Sequence, residues 1–137
     1  MNMSMRVRMR LMMELRLVCA VAVVAVLAAA GIARADGDAA RGEKKFEECA
    51  SCHSVERSAG GVGPSLAGLF ERKAGALDDY RYSPALKRSG LAWTVKSLDE
   101  FIADPQKLVP ANRMPYAGMP DAADRADLIA YLQKAAK

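Results

Sequence analysis

Five consecutive residues, Cys49-Ala50-Ser51-Cys52-His53, limit what this chain can fold into more than anything else in it. Two thiols three residues apart, with an imidazole directly behind the second, form the C-x-x-C-H pattern of covalent haem attachment. The spacing has a physical reason. At a helix end, two such thiols reach the two vinyl groups on one edge of a porphyrin, and the adjacent imidazole then points at the iron from the same side. Rival chemistries fail on ligand count. A structural zinc site needs four ligands, but His53 is the only histidine in the chain and Cys19 the only other cysteine. A four-cysteine iron–sulfur cluster fails on the same count. A thioredoxin-like dithiol would need a βαβ context, which the surrounding sequence does not offer, and a plain disulfide would leave His53 without a purpose. The expectation is one haem c per chain, held by two thioether links.

Cys19 belongs to a different kind of segment. Arg6, Arg8, Arg10 and Arg16 make a basic start, residues 17–32 are an almost unbroken run of Val, Ala and Leu, and Ala33-Arg34-Ala35 follows. A basic head, a short apolar run and an Ala-x-Ala end describe a secretory signal peptide. The apolar run has 16 residues, fewer than the roughly 20 that span a bilayer. Cleavage after Ala35 is therefore expected, rather than retention as a membrane anchor. The chain divides into a signal peptide at 1–35 and a single domain at 36–137. Export agrees with the haem motif, because bacteria fit this cofactor on the outer side of the membrane, and the expected location is the periplasm.

Cleavage also changes the meaning of the charge. The whole chain has 20 basic and 16 acidic residues, a net charge of +4. Five of the basic residues and one of the acidic ones lie in 1–35, which leaves 15 of each in the domain. A neutral domain without a Lys/Arg stripe interleaved with aromatics is not built for nucleic acid. With 102 residues at 36–137, it is also small for a self-sufficient apolar core. A large apolar cofactor at its centre would supply the missing support.

Four helical stretches can be read from caps and apolar spacing. The first starts at an Asp38 cap, reaches Cys49, and carries Ala39, Gly42 and Phe46 on one face. A short one follows Ser83-Pro84 and stops near Gly90. A third starts at Thr94, carries Leu98, Phe101 and Ile102, and ends by Asp104 because of Pro105. The last is capped at Asp121, has acids early and Lys134 and Lys137 late, and shows an apolar stripe of Leu128, Tyr131, Leu132 and Ala135. Two Gly/Pro-rich loops separate these elements: Ala59-Gly60-Gly61-Val62-Gly63-Pro64, and residues 105–120. No segment alternates like a strand. The pattern is all-α, with four to five helices and long ordered loops wrapped around a cofactor.

A second axial ligand to the iron can be narrowed by elimination. No other histidine exists, and six of the eight methionines lie in the signal region, which leaves Met114 and Met119. Met119 stands two residues before the Asp121 cap, where an apolar residue often packs on the first turn as a staple. Met114 lies inside the Pro-bounded loop and is the preferred candidate.

From residue 36 onward the chain resembles the class I cytochromes c, the group of mitochondrial cytochrome c and its photosynthetic-bacterial relatives. The resemblance rests on Cys49-Ala50-Ser51-Cys52-His53, Gly63-Pro64-Ser65-Leu66-Ala67-Gly68-Leu69-Phe70 and Trp93. It continues through Asp104-Pro105, Pro110, Met114 and Gly118, and through Asp127-Leu128-Ile129-Ala130-Tyr131-Leu132. It implies the small fold of that class, with His53 and Met114 as iron ligands. It also implies that the Pro64 carbonyl holds the ring of His53, and that Arg72, Tyr82 and Trp93 lie by the haem propionates. Leu66, Leu98, Phe101 and Leu128 would be pocket walls. Glu48 and Gln106 stand where mitochondrial members have docking lysines, and Phe101 and Asn112 where they have Tyr and Thr beside the methionine. Tyr116 takes the place of an edge Phe.

The implied function follows from the ligation. An iron closed on both faces has no open position for oxygen or peroxide and can only exchange electrons. The expectation is a monomeric periplasmic carrier, not an enzyme. Its donor would be a quinol-oxidising complex or a dehydrogenase, and its acceptor an oxidase or a reaction centre. A haem peroxidase or ligand sensor, in which Met114 leaves readily, is the rival.

Overall fold

Asp38 caps the first helix, its side chain accepting from the backbone N–H groups of Ala40 (2.8 Å) and Arg41 (3.1 Å). A computed structural model describes residues 37–57 and 61–137; the expected signal peptide at 1–35, and Ala59 and Gly60 of the first loop, lie outside the described residues. Helix α1 spans Ala39–Ala50, α2 Pro84–Arg88, α3 Val95–Ala103, α4 Pro105–Leu108 and α5 Ala122–Ala135, with a 3-10 turn at Leu69–Glu71. The caps are those the sequence signals. Ser83 caps α2 with Pro84 at its first position, Thr94 and Ser97 close a capping box on α3, and Asp121 caps α5. Among the described residues there is no strand, only an isolated bridge between Lys73 and Ala92.

Two features differ from the sequence expectation. Residues 105–108, expected as loop, form α4. Pro105 ends α3, but Asp104 then caps a new turn by accepting from the Lys107 N–H at 3.0 Å. Proline costs nothing at a first helical position, where its missing donor would have had no partner. The buried face of α5 is also rotated from the expected stripe. Leu128, Ile129, Leu132 and Ala136 are buried, whereas Tyr131 and Ala135 are only partly so.

The frame is the crossing of α1 and α5. At Gly42 an added Cβ would lie 1.9 Å from the Asp127 carbonyl oxygen, so the two backbones touch there and no larger residue fits. One turn on, the rings of Phe46 and Tyr131 meet at 5.4 Å. Beside this contact Asp127 is buried. It accepts from the Asp38 N–H (2.6 Å) and from Arg41 Nε (2.6 Å) and Nη2 (2.8 Å). The Arg41 hydrogen bond, followed by that from Asp38, holds its carboxyl below the ordinary value. Lys45 adds a second, more exposed tie to Asp124 at 2.7 Å.

Packed on this crossing is a core of Phe46, Leu69, Trp93, Leu98, Phe101, Ile102, Val109, Met119, Leu128, Ile129 and Leu132. Leu128 is 1% exposed, and truncating such a side chain to Ala costs about 2–5 kcal/mol. A second tier is only half-buried. Cys49, Val55, Leu66, Leu86, Leu91, Leu108, Met114 and Tyr116 lean on the core without being covered. This half-covered apolar tier, contributed by the end of α1, the segment after it, the region of α2 and the loop around Met114, is where a flat apolar group would complete the interior.

Candidate functional site

The last turn of α1 delivers the pentapeptide. The Cys49 carbonyl accepts from the N–H groups of both Cys52 (3.1 Å) and His53 (2.9 Å), so the helix tightens into a turn that carries both thiols and the imidazole. Cys49 and Cys52 are free cysteines, both partly buried. Burial, then the neighbouring Glu48 and Cys52, raises the Cys49 thiol above its ordinary value, so it stays protonated at neutral pH.

His53 is held from behind. Its Nδ1 lies 2.8 Å from the Pro64 carbonyl oxygen. A carbonyl can only accept, so Nδ1 is the donor in this contact, and Nε2 is the ring nitrogen left to face a metal. The loop bearing Pro64 folds back on the same turn, with the Gly63 N–H donating to the Cys52 carbonyl and the Leu66 N–H to that of Ser54, both at 2.8 Å. A Cβ on Gly63 would fall 2.6 Å from His53 Cε1 and 2.8 Å from Nδ1. Only glycine lets the loop approach the ring this closely. Tyr80 steadies the loop from outside, donating its phenol proton to the Val62 carbonyl at 2.9 Å.

The segment with Met114 is built differently. Asn112 is buried, and its Nδ2 donates to the carbonyls of Pro105 (2.7 Å) and Val109 (2.9 Å). Its Oδ1 accepts the Met114 N–H at 2.9 Å. One amide side chain thus fixes the backbone of Met114 to α4. The two methionines are treated unequally. Met119 is 5% exposed and belongs to the core, its N–H donating to the Ile102 carbonyl at 2.8 Å. Met114 is in the half-covered tier. Beyond it, the Tyr116 phenol reaches Glu48, directly before the first thiol, at 3.3 Å. Burial and the nearby acid push that phenol up to about 12.

Arg72 and Tyr82 stand side by side. Arg72 Nη1 donates to the Tyr82 hydroxyl at 3.2 Å, and Nη2 donates to the Ser65 carbonyl. Burial raises the Tyr82 phenol, although Arg72 opposes the shift. Trp93 is buried edge-on against Phe101, with ring centres 5.1 Å apart, and its backbone N–H donates to the Arg72 carbonyl at 3.4 Å. The Arg72 Nε is buried and lacks a hydrogen-bond partner among the described residues. A buried, charged donor left unpaired is costly, and a carboxylate is the group that would satisfy it.

These features fit a haem. Two thiols on one turn suit the vinyl edge, an imidazole with its Nδ1 fixed on Pro64 stands beside them, a half-covered apolar tier suits the porphyrin faces, and the orphan donor of Arg72 suits a propionate. Several contributors were not singled out from the sequence. In the sequence, Asn112 stands out only as a substitution for Thr, and Gly63 only as part of a matching stretch. Tyr80 carried no signal at all, since a Tyr in a loop says nothing about which carbonyl it will find.

Comparison with known proteins agrees. Residues 39–136 match the family model for cytochrome c. Cytochrome c2 iso-2 of Magnetospirillum fulvum is 47% identical over 88 residues, covering 64% of this chain and 92% of that protein. Cytochrome c2 of Rhodoblastus acidophilus is 46% identical over 99 residues, covering 72% of this chain and 92% of that protein. Among solved structures, cytochrome cH from Methylobacterium extorquens matches with a TM-score of 0.68 at 46% identity, covering 72% of this chain and 99% of that one. The chain belongs to the cytochrome c family, whose members carry covalently attached haem c and act as electron carriers, and its Cys49 and Cys52 fit that attachment.

Proposed function

We propose that the mature chain is a periplasmic one-electron carrier whose haem is ligated by His53 and Met114, and not an enzyme. The observation that carries this is the pinned imidazole: Nδ1 fixed on the Pro64 carbonyl at 2.8 Å, on the same turn as both thiols. The bound haem supplies a ferric/ferrous couple, which thioether ligation shifts toward the ferrous state. The protein's part is to hold both ligands still. Pro64 and Gly63 fix the orientation of His53, and Asn112 fixes the backbone of Met114. Met119 is engaged in the core, which leaves Met114 as the sulfur available to the site. Arg72 and Tyr82 offer donors to a propionate, with Trp93 walling the same corner.

Residues 1–35 act as a cleaved signal peptide and 36–137 as the domain; the family match beginning at Ala39 supports that boundary. No helix among the described residues is long and apolar enough to cross a membrane. The carrier is monomeric and takes electrons from a quinol-oxidising complex or a dehydrogenase. It passes them to an oxidase or a reaction centre. With 15 basic and 15 acidic residues in the domain, docking depends on local contacts more than on net attraction, so its rates should respond weakly to salt.

The test is the absorption spectrum of the exported haem protein, ferric and ferrous, beside a Met114→Leu variant. A low-spin c-type spectrum with a far-red sulfur-to-iron band that vanishes in the variant is expected. A high-spin ferric spectrum, or a band that survives the substitution, overturns the ligation. Intact mass of the same sample checks that the chain begins at Asp36.

A further inference from the structure

Between Met114 and Met119 the chain runs through residues 115–118. Among the described residues, this stretch makes a single hydrogen bond, from the phenol of Tyr116 to Glu48 Oε2 at 3.3 Å. The contrast with the preceding residues is sharp. Up to Met114 the segment is tied to α4 by the three side-chain bonds of Asn112, and Gln106 Nε2 adds a bond to the Asn112 carbonyl at 3.2 Å. The next backbone anchor after Met114 is the Met119 N–H on the Ile102 carbonyl. Glu48 lies 68 positions away in sequence from Tyr116 and immediately before Cys49. The bond therefore joins the lip of the loop carrying Met114 to the lip of α1 carrying the thiols. Tyr116 is half-buried against the core, so its ring is already aimed at the acid.

We propose that Tyr116 and Glu48 form a clasp that closes the Met114 loop onto α1 and so positions the methionine sulfur at the iron. This rests on Met114 being the second axial ligand. Neither residue touches the iron; both act through the loop. Without the clasp, residues 115–118 have no hydrogen bond between the anchors at 114 and 119. Packing alone then holds them, Gly118 against the Ala103 carbonyl and Tyr116 against the core. The loop then opens more often, and a small external ligand displaces the methionine faster.

The test uses the haem-loaded protein and four variants: Tyr116→Phe, Glu48→Ala, Glu48→Gln and the double Tyr116→Phe/Glu48→Ala. The rate of cyanide binding to the ferric form is measured, with the far-red sulfur-to-iron band recorded for each. Tyr116→Phe and Glu48→Ala should each speed binding roughly five-fold, the scale of one hydrogen bond. The double variant should be no faster than either single one, because all three lack the same bond. Glu48→Gln keeps an acceptor oxygen and should stay within about two-fold of the parent, which a general loosening of the surface would not explain. Additive effects in the double variant, unchanged rates in the single variants, or a Gln variant as fast as the Ala one would each overturn the clasp while leaving the ligation standing. Absence of the band from the parent protein would overturn both.

Discussion

The two sides of the site are held in different ways. On the His53 side the chain folds back on itself through backbone: Cys49 O to two N–H groups, Gly63 N–H to Cys52 O, Leu66 N–H to Ser54 O, and the ring to Pro64 O. On the Met114 side the bonds nearest the methionine come from side chains, those of Asn112, Gln106, Tyr116 and Glu48. Backbone anchors stand only at its ends, Asn112 N–H to Val109 O and Met119 N–H to Ile102 O. Backbone bonds survive most substitutions, while side-chain bonds vanish with one. The His53 side is thus built to stay in place, and the Met114 side can be tuned by single substitutions without disturbing the covalent attachment. On the proposed ligation, with His53 fixed and Met114 adjustable, the iron environment can vary on one face only.

The sharpest way to break the comparison is to damage the rigid side. Gly63→Ala would place a methyl group 2.6 Å from His53 Cε1 and 3.0 Å from the Cys52 carbonyl. The ring or the loop must move, at a cost of about 3 kcal/mol, the upper end for overpacking, since its neighbours include backbone. The expected result in the haem protein is a lower urea midpoint together with faster exchange of the His53 Nδ1 proton, read by NMR. An unchanged exchange rate would mean that Pro64 does not hold the ring.

A smaller effect is expected on the other side from Asn112→Ala. It leaves the Met114 N–H without its partner and uncaps the carbonyls of Pro105 and Val109, at about 2 kcal/mol in all. Here the damage should be one-sided. Cyanide binding to the ferric form should speed up by roughly ten-fold, while exchange of the His53 Nδ1 proton stays as in the parent. Equal disturbance of both sides would refute the division into independently held faces.

Legibility in the sequence divides along similar lines. Asp38, Ser83-Pro84, Thr94 and Asp121 were readable as helix starts because a cap acts on residues two or three positions away. The pentapeptide was readable because its chemistry lies in the residues themselves. The all-α class followed from both. What could not be read depends on distant partners. Asp127 looked like an ordinary early-helix acid, but its partners Asp38 and Arg41 lie 89 and 86 positions away. The bond of Tyr116 to Glu48 is hidden in the same way. Helix α4 is hidden for a different reason: Asp104-Pro105 is both a stop for one helix and a start for the next, and the first signal masks the second. The approach of Gly42 to the Asp127 carbonyl and to Tyr131 Cβ of α5 is equally hidden. A glycine in a helix does not announce what it touches.

The smallest expected effect concerns the frame on which both sides hang. Asp127 is buried, and its carboxyl is held below its ordinary value of 3.8, chiefly by Arg41. A lowered value in the folded state means that the carboxylate stabilises the fold fully above that ordinary value. The contribution fades as pH falls through the lower, folded value, where the acid takes up its proton and releases Arg41 and the Asp38 N–H. Asp127→Asn removes the charge at every pH. The gap in stability between parent and variant should therefore be constant from neutral pH down to about pH 5 and should close below pH 4. Urea unfolding of the haem protein across that range measures it. Because α1 carries the thiols and α5 braces α1, closing the gap should not alter the ratio between cyanide binding rate and His53 Nδ1 exchange rate. A gap that stays open at acid pH would show that Asp127 acts by shape and packing at the Gly42 contact. A ratio that shifts would show that the frame supports one face of the site more than the other.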